Sequence, residues 1–211
     1  MKTTIISAAL LSLALTSVQA TAGGVPAEKL QKIINSSFKD PDKSTEAPAT
    51  PTWASRLTPD TVQQACSEAR NHPDKDLAAD MEKAAAASVK YPEDGKLLGD
   101  WKNGEKIAQN GKGLRFNDKV DEPSGGNCYA CHQIDKKELA FGTIGPPLTE
   151  YGKNRDFSEE AIKATYAKIY NSHTVVPCSH MPRFGTMGIL TIDQIKDLTA
   201  LLMDKESPVN K

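Results

Sequence analysis

Apolar positions along this chain recur with the period of a helix, and nowhere with the two-residue alternation of a half-buried strand. Residues 25–38 place Leu30, Ile33 and Ile34 on one face, behind Pro26 and Glu28. Thr58-Pro59-Asp60 reads as a helix start, with Thr58 as N-cap, Pro59 at the first position and Asp60 in the first turn. The helix it opens carries Val62, Ala65, Cys66 and Ala69 and stops before Pro73. Residues 76–90 are alanine-rich and favour helix until Tyr91-Pro92 ends it. Another helix spans 101–110, where Asn110-Gly111 predicts a left-handed C-cap. The next opens at Asp156, has Glu159 at the capping-box position and runs to Asn171. The last starts at Thr191 with Gln194 as its capping-box partner and Leu190 and Ile195 as a hydrophobic staple. Ile195, Leu198, Leu201 and Leu202 mark its buried face. The pattern predicts an all-α fold.

Two stretches fall outside this pattern. Residues 39–52 are rich in Pro, Asp, Ser and Thr and read as an extended connector. The first twenty residues read as a signal peptide: Lys2, an apolar run over 5–15, then Val18-Gln19-Ala20 or Ala20-Thr21-Ala22 as the cleavage site. That run is shorter than the roughly twenty residues a spanning helix needs. The expectation is a cleaved, exported, periplasmic protein, with an uncleaved N-terminal anchor as the alternative. The division expected is 1–20 signal peptide, 21–95 helical extension and linker, and 96–211 chemical domain. Lys and Arg number 26 against 27 Asp and Glu. This balance leaves no basic footprint, so neither nucleic acid nor a membrane surface is an expected partner. With 38% hydrophobic residues and frequent Gly and Pro, the chain suits small helical units around a bulky cofactor.

The candidate chemistry lies in Cys128-Tyr129-Ala130-Cys131-His132, the C-x-x-C-H signature of c-type haem attachment. Two thiols about a turn apart can add to the two vinyl groups of one porphyrin edge, and the next residue, His132, then sits under the iron. C-x-x-C alone also serves redox dithiols and zinc sites. No second C-x-x-C or H-x-x-x-H completes a zinc shell here, and no strand precedes the motif. The expected cofactor is one covalent haem c with its iron, attached through Cys128 and Cys131, with His132 as proximal ligand. Pro146 in Gly145-Pro146-Pro147-Leu148 is placed to offer a backbone carbonyl to His132, and Leu148 to pack on the ring. For the sixth ligand the candidates are His173, His180, Met181, Met187 and Met203. Met181 is preferred because Pro182 holds it in a non-helical loop. Arg183 either pairs with a haem propionate or is an ordinary surface arginine. Cys66 and Cys178 remain, and in an oxidising compartment they most simply pair, stapling the extension to the Met181 loop. A free Cys178 or a bridge to another chain stays open.

Several motifs together carry a resemblance: 126–133 (Gly-Asn-Cys-Tyr-Ala-Cys-His-Gln), 141–146 (Phe-Gly-Thr-Ile-Gly-Pro), 178–185 (Cys-Ser-His-Met-Pro-Arg-Phe-Gly) and 207–210 (Ser-Pro-Val-Asn). Over about residues 97–210 the chain resembles the SoxX family, the monohaem cytochrome subunits of the bacterial Sox thiosulfate-oxidising system. The resemblance implies a class I cytochrome c fold with an N-terminal helical extension, and His132 and Met181 as iron ligands. It implies a heterodimer with a SoxA-type cytochrome that holds the catalytic haem, the pair acting as an L-cysteine S-thiosulfotransferase on the SoxYZ carrier protein. This subunit's implied role is to take the electrons released and pass them to a soluble cytochrome c. A free-standing shuttle is the alternative, and a ligand-binding haem enzyme with an open sixth site a third.

Overall fold

The computed structural model describes residues 26–38, 53, 57–113 and 122–211. The expected signal peptide and the connector over 39–52 lie outside the described residues. Within them six α-helices are bounded and no strand occurs. The chain divides into two units, 1–39 and 40–211. The first contains α1 (Ala27–Ser37), which follows Pro26 without a side-chain cap and ends where Phe38 turns extended.

The second unit is built on α4 (Trp101–Gln109) crossing α6 (Ile192–Met203). The crossing is close because Gly104 has no side chain: a β-carbon there would collide with the Asp197 carbonyl of α6. Asp197 also fixes the start of α4, accepting from the Asp100 N–H at 2.8 Å and from Asn103 Nδ2 at 2.6 Å. Ile107 and Ala108 of α4 pack with Ile195, Leu198 and Leu201 of α6 and with Tyr166 and Tyr170 of α5 (Glu159–Tyr170). Each such aliphatic side chain contributes about 1.5–3 kcal/mol by leaving water. The capping box at Thr191 and Gln194 starts α6 where the sequence predicts. Its other end is tied down by Asn210, whose Nδ2 donates to the Leu202 and Asp204 carbonyls while its Oδ1 accepts from Gly152 N–H at 2.9 Å.

Three boundaries differ from the sequence reading, each for a local reason. The helix α2 (Thr61–Glu68) has Asp60, not Thr58, as its N-cap, because Asp60 and Gln63 form a reciprocal capping box. The helix α5 starts after Ser158, whose hydroxyl accepts from Ala161 N–H, while Asp156 sits left-handed at φ 52°. After α4, Asn110 leaves in an extended conformation (φ −76°, ψ 116°) rather than through a left-handed cap. The turn is unnecessary there because Asn110 N–H and carbonyl already bond Lys106 and Asn127.

The larger difference concerns residues 57–95. The sequence sets them apart from the chemical domain, yet they belong to the same unit. Cys66 and Val62 of α2, Met81 and Leu77 of α3 (Lys75–Ser88), and Cys178 form a second small core. Tyr166 hydroxyl donates to the Lys90 carbonyl at 2.8 Å, and Asn171 Nδ2 to Ser88 Oγ at 2.9 Å. No division falls near residue 95.

Candidate functional site

Cys128, Cys131 and His132 share one tight turn. Gly126 N–H bonds the Ile107 carbonyl and Asn127 N–H the Asn110 carbonyl, so the approach to the motif lies along the end of α4. Asn127 then turns left-handed (φ 47°), which asparagine tolerates better than most residues. A single 3₁₀ turn, Cys128–Ala130, follows, with His132 N–H closing onto the Cys128 carbonyl at 2.9 Å. The chain downstream is laced back onto this turn. Gly142, Gly145 and Leu148 donate their N–H groups to the carbonyls of Tyr129, Cys131 and Gln133 at 2.8, 2.8 and 2.7 Å.

This lacing sets the chemistry of His132. Its Nδ1 lies 2.7 Å from the Pro146 carbonyl oxygen. A carbonyl only accepts, so Nδ1 carries the proton and the Nε2 lone pair is available to a metal. Gly145 is indispensable to this geometry, since a β-carbon there would overlap the imidazole. The sequence flags Gly145 only as part of a turn; its close approach to the ring is seen only once the loop is folded. Gly142 has a similar role against the Ala130 carbonyl.

The two thiols are free. Burial pushes the Cys128 thiol up to about 12, so it is protonated, unlike the lowered thiolates of redox dithiols and zinc shells. Among the described residues no cluster of three or more His, Cys, Asp or Glu side chains is disposed to hold a bare metal ion. Cys128 and His132 instead face an apolar cavity walled by Ile134, Leu148, Ile169, Phe184 and Leu198.

Of the five candidate sixth ligands, Met181 alone borders that cavity. Met203 is buried in the α6 core, His180 is exposed, and Met187 is half exposed. His173 is buried with its Nδ1 unpartnered among the described residues, and burial, then the nearby Arg183, hold its pKa below the ordinary value. It lines a separate cleft that Met181 also borders. The Met181 backbone is caught by side chains: its N–H donates to Ser179 Oγ at 3.2 Å, and its carbonyl accepts from Ser172 Oγ at 2.6 Å. Cys66 and Cys178 are joined by a disulfide, with Cα atoms 5.4 Å apart. Arg183 decides against one of its two sequence readings. It is not a surface arginine but buried, and its Nη2 is paired with Asp60 Oδ2 at 2.6 Å. The disulfide ties α2 to this loop, and the guanidinium meets the N-cap carboxylate of the same helix.

The donors fit a haem of the c type: two free thiols in one turn, an imidazole with its outer nitrogen free, a thioether on the same cavity, and apolar walls. Fold and site thus define a c-type haem protein. Residues 102–205 match the cytochrome c family. An uncharacterized lipoprotein of Aquifex aeolicus (strain VF5) is 39% identical over 187 residues, covering 88% of this chain and 89% of the relative. The chain belongs to the cytochrome c family; it carries covalently bound haem c with its iron, and its general activity is electron transfer.

Proposed function

We propose that this chain is the electron-transfer subunit of a periplasmic SoxAX-type L-cysteine S-thiosulfotransferase. Cys128 and Cys131 would hold the haem through thioethers, and His132 and Met181 would hold its iron. When bound, the haem supplies a one-electron iron couple. The chain's own residues restrict the site to electron transfer, since Pro146 fixes the His132 tautomer and the apolar walls around Ile134, Leu148 and Phe184 exclude water. A methionine sixth ligand raises the potential relative to a second histidine and closes the iron to oxygen and peroxide. The observation that carries the reading is Met181 on the same cavity as Cys128 and His132, within the motifs that resemble the SoxX family. Electrons released when thiosulfate is joined to the SoxYZ cysteine pass from a SoxA-type partner through this haem to a soluble cytochrome c.

A free-standing electron shuttle is the second reading, and one observation favours it. Residues 57–95 fold back onto their own domain, so this part of the extension is no argument for a partner. The name of the Aquifex relative also leaves room for a lipid-anchored way of life near a membrane. No described helix of this chain is long and apolar enough to cross one. Anaerobic thiosulfate oxidation with SoxYZ and a cytochrome c acceptor separates the two readings. Activity of this chain with a SoxA-type partner, and none of either alone, supports the subunit. An inert pair, with rapid electron exchange between this chain and other cytochromes, supports the shuttle.

A further inference from the structure

We infer that α2 and α3 form a brace whose work is to hold Met181 at the haem's sixth position; this rests on Met181 being the axial ligand, as proposed above. The loop carrying Met181 has no regular structure to stiffen it. It is gripped on both sides of the methionine by a single distant helix. Three residues before Met181, Cys178 is bonded to Cys66 of α2, 112 positions away in sequence. Two residues after it, Arg183 is paired with Asp60, the N-cap of α2. The helix α3 reaches the same loop from another side. Its Ser88 hydroxyl accepts from Asn171, Asn171 Oδ1 accepts from His173 N–H, and Ser172 between them donates to the Met181 carbonyl.

These ties matter because packing does not replace them. A cleft of about 620 Å³ lies beside the loop, lined by Cys66, Cys178, Met181, Arg183 and His173. Covalent and ionic contacts, more than a filled core, therefore fix the loop there. Both have a native-state cost that their partners offset. Cys178 is held at φ 58°, a conformation that a non-glycine residue leaves when free to do so. The Arg183 guanidinium is buried, and without Asp60 it gains by turning toward water, drawing Pro182 and Met181 with it. A thioether is a neutral, weak ligand, so its hold on iron depends on the loop presenting it. Asp60, Cys66 and Arg183 are thus positioning residues for the sixth site, and the brace gives the extension a role within its own chain.

The test uses the full-length, haem-loaded protein and two readouts. One is the weak red-edge absorption that a methionine–ferric-iron bond produces; the other is the rate at which carbon monoxide binds the ferrous protein. Met181→Ala should abolish the band; if it survives there, the ligand reading itself fails. Asp60→Asn and the pair Cys66→Ser with Cys178→Ser should each weaken the band. Each should speed carbon monoxide binding about tenfold, the factor that ~1.4 kcal/mol supplies. Asp60→Glu should restore much of the wild-type behaviour. Tyr166→Phe, which removes the bond to Lys90 elsewhere in the interface, should lower the melting temperature and leave both readouts unchanged. If Met181→Ala loses the band while the Asp60 and cysteine variants keep wild-type band and rate, the brace is wrong. Should the cysteine variant fail to fold, Asp60→Asn against Asp60→Glu decides alone.

Discussion

The turn that bears His132 and the loop that bears Met181 face one cavity, yet they are held by opposite means. Around His132 the restraints are local backbone hydrogen bonds: Gly142 to Tyr129, Gly145 to Cys131, Leu148 to Gln133, and the His132 ring to Pro146. Partners there are at most fifteen residues apart. Around Met181 the restraints are side chains, and the strongest come from far away, Cys66 to Cys178 and Asp60 to Arg183. Local backbone lacing forms whenever the turn forms. Distant side-chain ties require the whole domain to be folded first. The proximal side is therefore built into the motif, and the distal side is imposed on the loop by the rest of the chain.

The largest expected effect breaks the distal side. Replacing Cys66 and Cys178 together by Ser opens a closed loop of more than a hundred residues, and the chain-entropy model assigns such a crosslink about 4–5 kcal/mol. Chemical denaturation of the haem-loaded protein should show a loss of that order, with His132 coordination intact in the native baseline. Equal stability of variant and parent would mean that α2 is held by its other contacts. Next in size is Gly145→Ala, which breaks the proximal side by steric means. A β-carbon there meets the imidazole, and overpacking of this kind costs about 1–3 kcal/mol. Covalent haem should fall in purified protein, because His132 can no longer keep both its Pro146 bond and its place beside Cys131. Full haem content with an unchanged spectrum would show that the loop moves aside freely.

This contrast also explains what is legible in the sequence. The C-x-x-C-H turn, the Gly145–Leu148 loop behind it and the Thr191 capping box are encoded within a few residues, so periodicity and spacing reveal them. The Cys66–Cys178 pairing is reachable by counting cysteines, although its geometry is not. The Arg183–Asp60 pair is not legible, because Asp60 lies 123 residues earlier and looks like an ordinary helix-start residue. Gly104 against Asp197 and Ser172 under Met181 are equally silent, since nothing in a single chain of letters says which helix crosses which. The boundary expected near residue 95 fails for the same reason. A segment with amphipathic helices and no chemical motif reads as an appendage until its apolar face is seen against Cys178.

A finer cut comes from Ser172→Ala. The fully buried hydroxyl donates to the Met181 carbonyl, and its loss leaves that carbonyl unpaired, at a cost of about 1–3 kcal/mol. Because α2 still grips the loop at Cys178 and Arg183, stability should fall while the methionine–iron band is only slightly weakened. A band lost outright in this variant would shift the weight of the distal side from the distant ties to this local one, and the contrast between the two sides would blur.

The smallest expected effect is the pH dependence of the distal side, and its two parts separate along the pH axis. Burial works to raise the Asp60 carboxyl, but the Gln63 N–H bond and Arg183 outweigh it and hold the pKa below the ordinary 3.8. A lowered folded-state pKa means that the unfolded chain binds the proton first as pH falls. The Asp60 contribution is therefore fully present above the ordinary value and is lost as pH drops from 3.8 through the lowered value. Asp60 is 41% exposed, so solvent screening limits the pair to ~1 kcal/mol. His173, lowered from 6.5 by its burial and by Arg183, obeys the same sign in a higher window. Its contribution stands above 6.5 and begins to fall as soon as pH drops below it. Stability measured against pH should thus decline in two steps. Asp60→Asn should flatten the lower one and His173→Gln the upper one, whereas substitutions around Pro146 should leave both untouched. If the lower step persists in Asp60→Asn, acid sensitivity belongs to carboxylates elsewhere, and the Asp60–Arg183 pair contributes position without stability.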